Sequence, residues 1–271
     1  GITASDSLTT LCRDEAKVLR AMAMFDLARI YGKPYTQDQG ASWGAPIDTT
    51  LLNPEAKVMR STVADTYKQV LKDLDEAIAG NLVARANTGY VNLWTAKALR
   101  SRVYLTMGNW QKALADAEDV IQNSPYQLWT ASQYANAWSK DDANHGNEMI
   151  FEIVITSSEW TDREGIAYLY TEDTDAKGQA SGYGDMVATK AFVDSLNTDL
   201  NDVRRDVWKV ATSSAEKQAQ IFGGLRVYLN KMPAVNGDSR LSNVPVMRLS
   251  EMYLNAAEAA FQAGNKTKAA Q

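Results

Sequence analysis

Residues 13–34 read R-D-E-A-K-V-L-R-A-M-A-M-F-D-L-A-R-I-Y-G-K-P. Between positions 16 and 31 apolar side chains fall on nearly every face of a 3.6-residue spiral, with Arg20, Asp26 and Arg29 set among them. That pattern predicts a helix packed on several sides. Gly32 suits a left-handed cap and Pro34 cannot continue the helix, so its end is well defined. Asp26 and Arg29 are three apart and can pair with each other or with a neighbouring helix, a structural role.

Downstream, 33–57 is rich in Gly and Pro and predicts a loop, with Tyr35 and Trp43 inside it. Residues 58–80 set Val63, Tyr67, Val70, Leu71, Leu74, Ala77 and Ile78 at spacings of three and four, an amphipathic helix. A third helix, 93–107, runs to Gly108-Asn109, and a fourth runs from Trp110 to about Gln122. Tyr104, Gly108, Trp110, Ala113 and Pro125 fall where a tetratricopeptide-like hairpin places its aromatics, turn glycine, small crossing residue and terminal proline. Residues 245–263 followed by Gly264-Asn265 repeat the helix-then-Gly-Asn pattern, and the chain stops at Gln271 within that repeat.

Three hairpins follow: 13–80, 93–122 and an incomplete 245–271, about the minimum for a stacked solenoid core. The fold class expected is mostly α, tetratricopeptide-like helix hairpins forming an α-α superhelix. Between the second and third hairpins, 123–244 is richer in Gly, Ser, Thr and Asn, with one strand expected at 149–155 and another at 225–229. This reads as a long irregular insertion on a rigid scaffold, carried within one domain spanning 1–271. Insertions of this kind are where function tends to sit.

The net charge of −5 and the absence of a lysine- or arginine-rich run argue against a nucleic-acid partner. Cys12 is the only cysteine, so there is no disulfide framework or Cys-based metal cluster, and it reads as a small buried or near-terminal hydrophobe. No run approaches the roughly 18 apolar residues needed to cross a bilayer. His145 is the only histidine and no catalytic motif surrounds it. Asp173, Asp175 and Gly178 imitate a calcium loop, but Lys177 and Gly184 occupy slots that need oxygen ligands. Asn197, Asp199 and Asn201 read as a polar turn. No catalytic residue, metal ligand or cofactor is assigned.

Seven Trp and twelve Tyr against five Phe favour rings with a polar edge, which suit ligands presenting both apolar faces and hydroxyls. Trp94 and Trp110 lie on repeat helices and belong to the core. Trp43, Trp129, Trp138 and Trp160, with Tyr168, Tyr170 and Tyr183, lie where no helical stripe accounts for them.

The run R-x-E-A-x-x-L-R-A-x-x-x-F-x-L-x-R-x-Y-G-x-P from Arg13 to Pro34 resembles the signature helix of the SusD/RagB family. The segments A-K-A-L-R-S-R-V-Y-L, N-E-M-I-F-E-I and P-V-M-R-L-S-E-M-Y-L-N-A-A-E-A are similar to the family as well, in the family's order. The resemblance implies a non-enzymatic binding lipoprotein on the extracellular face of the outer membrane. It would capture oligosaccharides or, in the RagB branch, peptides, and deliver them to a SusC-like TonB-dependent transporter. It would meet the membrane only through a lipid anchor absent from this chain, which looks like a fragment or shortened member. The ligand residues expected are Trp160, Tyr168 and Tyr170, which follow the I-F-E-I strand, together with Tyr183 and Trp43. The alternatives are an oligopeptide binder on the same scaffold and a tetratricopeptide-like adaptor binding protein tails.

Overall fold

The computed structural model describes residues 6–86, 89–139, 147–156, 158, 165–171, 182–184, 186–210, 227–231 and 241–271. The chain divides into two compact units, one formed by Gly1–Tyr126 with Met247–Gln271 and the other by Gln127–Val246. The fold is mostly α, as the periodicities predict.

In the first unit α1 (Ser7–Tyr31) packs along α3 (Val63–Ile78), α3 against α4 (Leu93–Thr106), and α4 against α5 (Trp110–Asn123). The helix α9 (Leu249–Gln262) then lies on α4 and α5, and the short α10 (Lys266–Ala269) folds back on it. A one-turn helix, α2 (Tyr35–Asp38), sits in the connection between α1 and α3. The core runs down the stack through Val18, Phe25, Tyr67, Leu74, Leu99, Val103, Val120 and Met252, all essentially sealed from solvent. Each such side chain contributes on the order of 1.5–3 kcal/mol through burial.

The hairpin turns follow from the repeated Gly-Asn. Gly108 and Gly264 both take a left-handed backbone (φ 74° and 84°), which closes the preceding helix. Asn109 and Asn265 then cap the next helix, each side-chain oxygen accepting the N–H three residues on. Asn92 and Thr95 form a reciprocal capping box at the start of α4.

Charges are buried in a recurring way. Arg20 on α1 donates Nε and Nη2 to Asp73 on α3, at 2.8 and 2.6 Å. Arg100 on α4 donates the same two groups to Asp116 on α5, both at 2.7 Å. The two arginines occupy the same place in L-R-A and L-R-S, and the two aspartates precede buried Leu74 and Ala117, so the hairpins share one internal ion pair. Arg100 also reaches Asp75 of the first hairpin at 2.8 Å, and Arg102 grips Glu251 of α9 through two bonds of 2.6 Å. Asp116 beside it holds the Arg100 guanidinium well above its ordinary range, against the opposing effect of burial.

The helix α1 differs from expectation. Its buried residues, Asp14, Val18, Ala21, Met24, Phe25 and Ala28, form one stripe. Leu8, Leu19, Leu27, Ile30 and Cys12 stand exposed on the other side. Asp26 and Arg29 pair with each other at 2.9 Å in solvent. Among the described helices α1 packs mainly on α3, where α4 has α3, α5 and α9 as neighbours. Gly32 ends α1 with φ −101° and is not left-handed. Its missing side chain matters for space, since a Cβ there would come 2.4 Å from the Ala28 carbonyl.

In the second unit α6 (Ala131–Ser139) packs on a 3-10 turn at Val203–Val207. The strands β2 (Trp208–Val210) and β3 (Val227–Leu229) pair antiparallel, with Trp208 opposite Leu229 and Val210 opposite Val227. The strand β1 (Met149–Ile153) forms a two-stranded sheet with β4 (Val244–Arg248), most of which belongs to this unit. Short helices α7 (Ile166–Tyr170) and α8 (Lys190–Leu196) complete it. The helix expected to begin at Pro245 begins at Leu249, because Val244, Pro245 and Val246 are β-branched or lack an N–H and run as strand instead.

Candidate aromatic binding surfaces

In the second unit the Tyr168 and Tyr183 rings meet edge to face, 4.8 Å apart at 88°. The Tyr183 N–H donates to the Tyr168 carbonyl at 2.8 Å, so the backbone itself holds the pair. Gly182 makes this approach feasible, for a Cβ there would strike the Thr171 and Tyr168 carbonyls at 2.3 and 2.7 Å. Tyr183 is exposed, whereas Tyr168 and Tyr170 are half-buried. Trp160 and His145 lie outside the described residues, as do Asp173, Asp175, Lys177 and Gly178.

Trp43 is in the first unit and is 63% exposed. Its backbone bridges Thr62, and Arg60 donates to the carbonyls of Trp43, Gly44 and Tyr31 at 2.9, 2.7 and 3.0 Å. The indole thus stands in solvent on a fixed loop. Trp94 is buried, and Trp110 packs beside Tyr104 and Ala259, both in core positions as the helical pattern predicts.

A further surface in the second unit combines residues that no motif connects. Phe192 on α8 and Trp208 at the start of β2 approach to 4.8 Å with their planes 57° apart. They form one wall of a cleft of about 480 Å³ whose lining also includes Asp199, Asp202, Arg204 and Lys231. Local sequence explains each placement. Thr189 caps α8 through the Phe192 N–H, and Asp202 caps the 3-10 turn through the Arg204 N–H. The β2–β3 register carries the chain from Leu229, opposite Trp208, to Lys231 beside the turn. Lys231 Nζ stands 5.2 and 5.7 Å over the rings of Trp138 and Tyr134 on α6, which pack edge to face with Trp129. Arg204 holds the Asp202 carboxyl down at about 2, mainly through its side-chain hydrogen bonds. Asn197 and Asp199 accept from Arg205 Nε and the Asn201 N–H, so they serve a polar turn.

Such a surface offers flat apolar faces for stacking, with acceptors and donors at their edges, in an open concave shape. Among the described residues no group of three or more His, Cys, Asp and Glu side chains could hold a metal ion. Nor is any helix among them long and apolar enough to cross a membrane.

The stacked hairpins with an inserted, aromatic-bearing unit define the class as a tetratricopeptide-like helical scaffold carrying an insertion, and sequence comparison narrows it. A family profile described as SusD-like, starch-binding and associating with the outer membrane, matches residues 4–105, and the SusD family profile matches 224–271. A SusD superfamily protein from Bacteroides thetaiotaomicron superposes with a TM-score of 0.84 at 37% identity, covering 99% of this chain and 59% of that one. Another from Bacteroides vulgatus superposes with a TM-score of 0.84 at 28% identity, covering 99% and 58%. SusD-like protein P2 of Formosa agariphila is 27% identical over 90% of this chain and 51% of its own length. The chain belongs to the SusD/RagB family. It spans about half to three fifths of the length of these relatives.

Proposed function

We propose that this chain is a non-enzymatic saccharide-binding protein of the outer membrane surface that captures oligosaccharides and delivers them to a TonB-dependent transporter. The observation that carries the reading is the cleft lined by Phe192 and Trp208, where an aromatic wall faces carboxylates and cations in an open concavity. A sugar ring stacks its C–H face on an indole while carboxylates and amines bond its hydroxyls. The starch-binding, outer-membrane description of the matching profile supports both ligand class and place. Tyr168, Tyr170, Tyr183 and Trp43 are proposed as further aromatic contacts. Membrane attachment is proposed to be through a lipid on the whole protein. Affinity is modest, because a hydrated ligand must be released again to the transporter.

Isothermal titration calorimetry against soluble glycans and mixed oligopeptides tests this reading. Saturable binding to a glycan, weakened at least about tenfold by Trp208→Ala, is the expected result. Binding of peptides with no glycan signal would move the chain to the peptide branch of the family. Co-purification of the tagged protein with an outer-membrane transporter tests delivery.

A further inference from the structure

The charges in the cleft are unequally matched. Arg204 is balanced by Asp202 along one edge, donating Nε to both of its oxygens at 2.9 Å and Nη2 to Oδ2 at 2.5 Å. Asp199 accepts the Asn201 N–H within its own turn. Lys231 is different. Its ammonium rests on the faces of Trp138 and Tyr134, and it has no hydrogen bond or ion pair to a described residue. Ring faces stabilise a cation but accept none of its three N–H bonds in the way an oxygen does. Lys231 is half-buried and lines the cleft together with Trp208, and its ammonium has donor capacity that the rings do not use.

Resting on the saccharide reading above, we infer that this cleft selects acidic saccharides: a sugar ring stacks on Trp208 while its carboxylate or sulfate group pairs with Lys231. A neutral sugar gains the stacking and ordinary hydroxyl hydrogen bonds. An anionic one adds a charge-assisted hydrogen bond in a partly desolvated setting, where such a bond is strongest. Asp202 and Arg204 balance each other's charge, and the ligand anion sits away from the Asp199 carboxylate, which the Asn201 N–H bonds but does not neutralise.

The test titrates the chain with oligogalacturonate, its methyl ester, and a sulfated galactan oligosaccharide, following tryptophan fluorescence. The acid should bind about tenfold more tightly than the ester, the worth of one hydrogen bond to a charged group. Lys231→Gln should erase the preference of acid over ester, and Lys231→Arg should keep it. A preference for the galacturonate over the sulfated galactan, or the reverse, identifies which anion the site takes. Equal binding of acid and ester by the unaltered chain, or a preference that survives Lys231→Gln, would overturn the inference and leave the saccharide reading standing. Failure of every saccharide to bind would remove both.

Discussion

Arg100 and Arg102 of the helical scaffold pair with residues 16 and 149 positions away, across helices, with their side chains largely withdrawn from water. Lys190 and Arg204 of the inserted unit pair with residues four and two positions away and stand in solvent. The first kind fixes how hairpins stack; the second fixes only the shape of a turn. These charges of the inserted unit are settled locally, whereas Arg100 and Arg102 of the scaffold are committed to joining its helices. The contrast predicts where the molecule tolerates change.

The largest effect belongs to Arg100→Ala, which leaves Asp116 nearly buried without its partner and should cost about 3 kcal/mol of stability in chemical denaturation. A loss under about 0.5 kcal/mol, the worth of a surface pair, would break the distinction between the two regions. Leu99→Ala on the surrounded helix α4 should cost a comparable 2–4 kcal/mol by opening a cavity. Leu19→Ala, on the open side of α1, should stay within about 0.5 kcal/mol by the same measurement.

A pH effect comes next. Burial pushes the hydroxyls of Tyr67 and Tyr126 up to about 12, from the ordinary 10. The folded chain thus holds these protons more tightly than the unfolded one. The stability they confer is complete below pH 10 and disappears as pH rises through 12. Tyrosinate absorbance should show a component titrating near 12, with unfolding in that window. The smallest effect is Arg204→Ala, expected to leave the melting temperature unchanged. Its readout is the Asp202 carboxyl, whose midpoint by NMR should climb from about 2 toward the usual carboxylate range.

Legibility in the sequence followed the same division. The helices α3, α4 and α5 come from periodicity and from Gly-Asn punctuation, because local rules suffice where a repeat imposes one packing geometry. The outer side of α1 misleads, since apolar residues on every face describe a surrounded helix such as α4 equally well, and only the helices packed against each distinguish them. The early start predicted for α9 overlooked that Val-Pro-Val prefers extended backbone. The aromatic cleft was not legible at all. Phe192, Trp208 and Lys231 come from a helix, a strand and a loop with no shared spacing, and only the strand register brings them together. The Tyr168–Tyr183 pairing was partly foreseen as a cluster, though the enabling role of Gly182 was not.

The arginine–aspartate pair that recurs in successive hairpins amounts to a unit of assembly. Any hairpin spliced between α3 and α4 would need its own arginine on the first helix and aspartate on the second, plus an acceptor placed like Asp75 to receive the next arginine. A helix lacking these could still match the apolar surface yet slide along it. A displacement of α4 by a single turn would therefore leave its guanidinium groups facing the wrong neighbours.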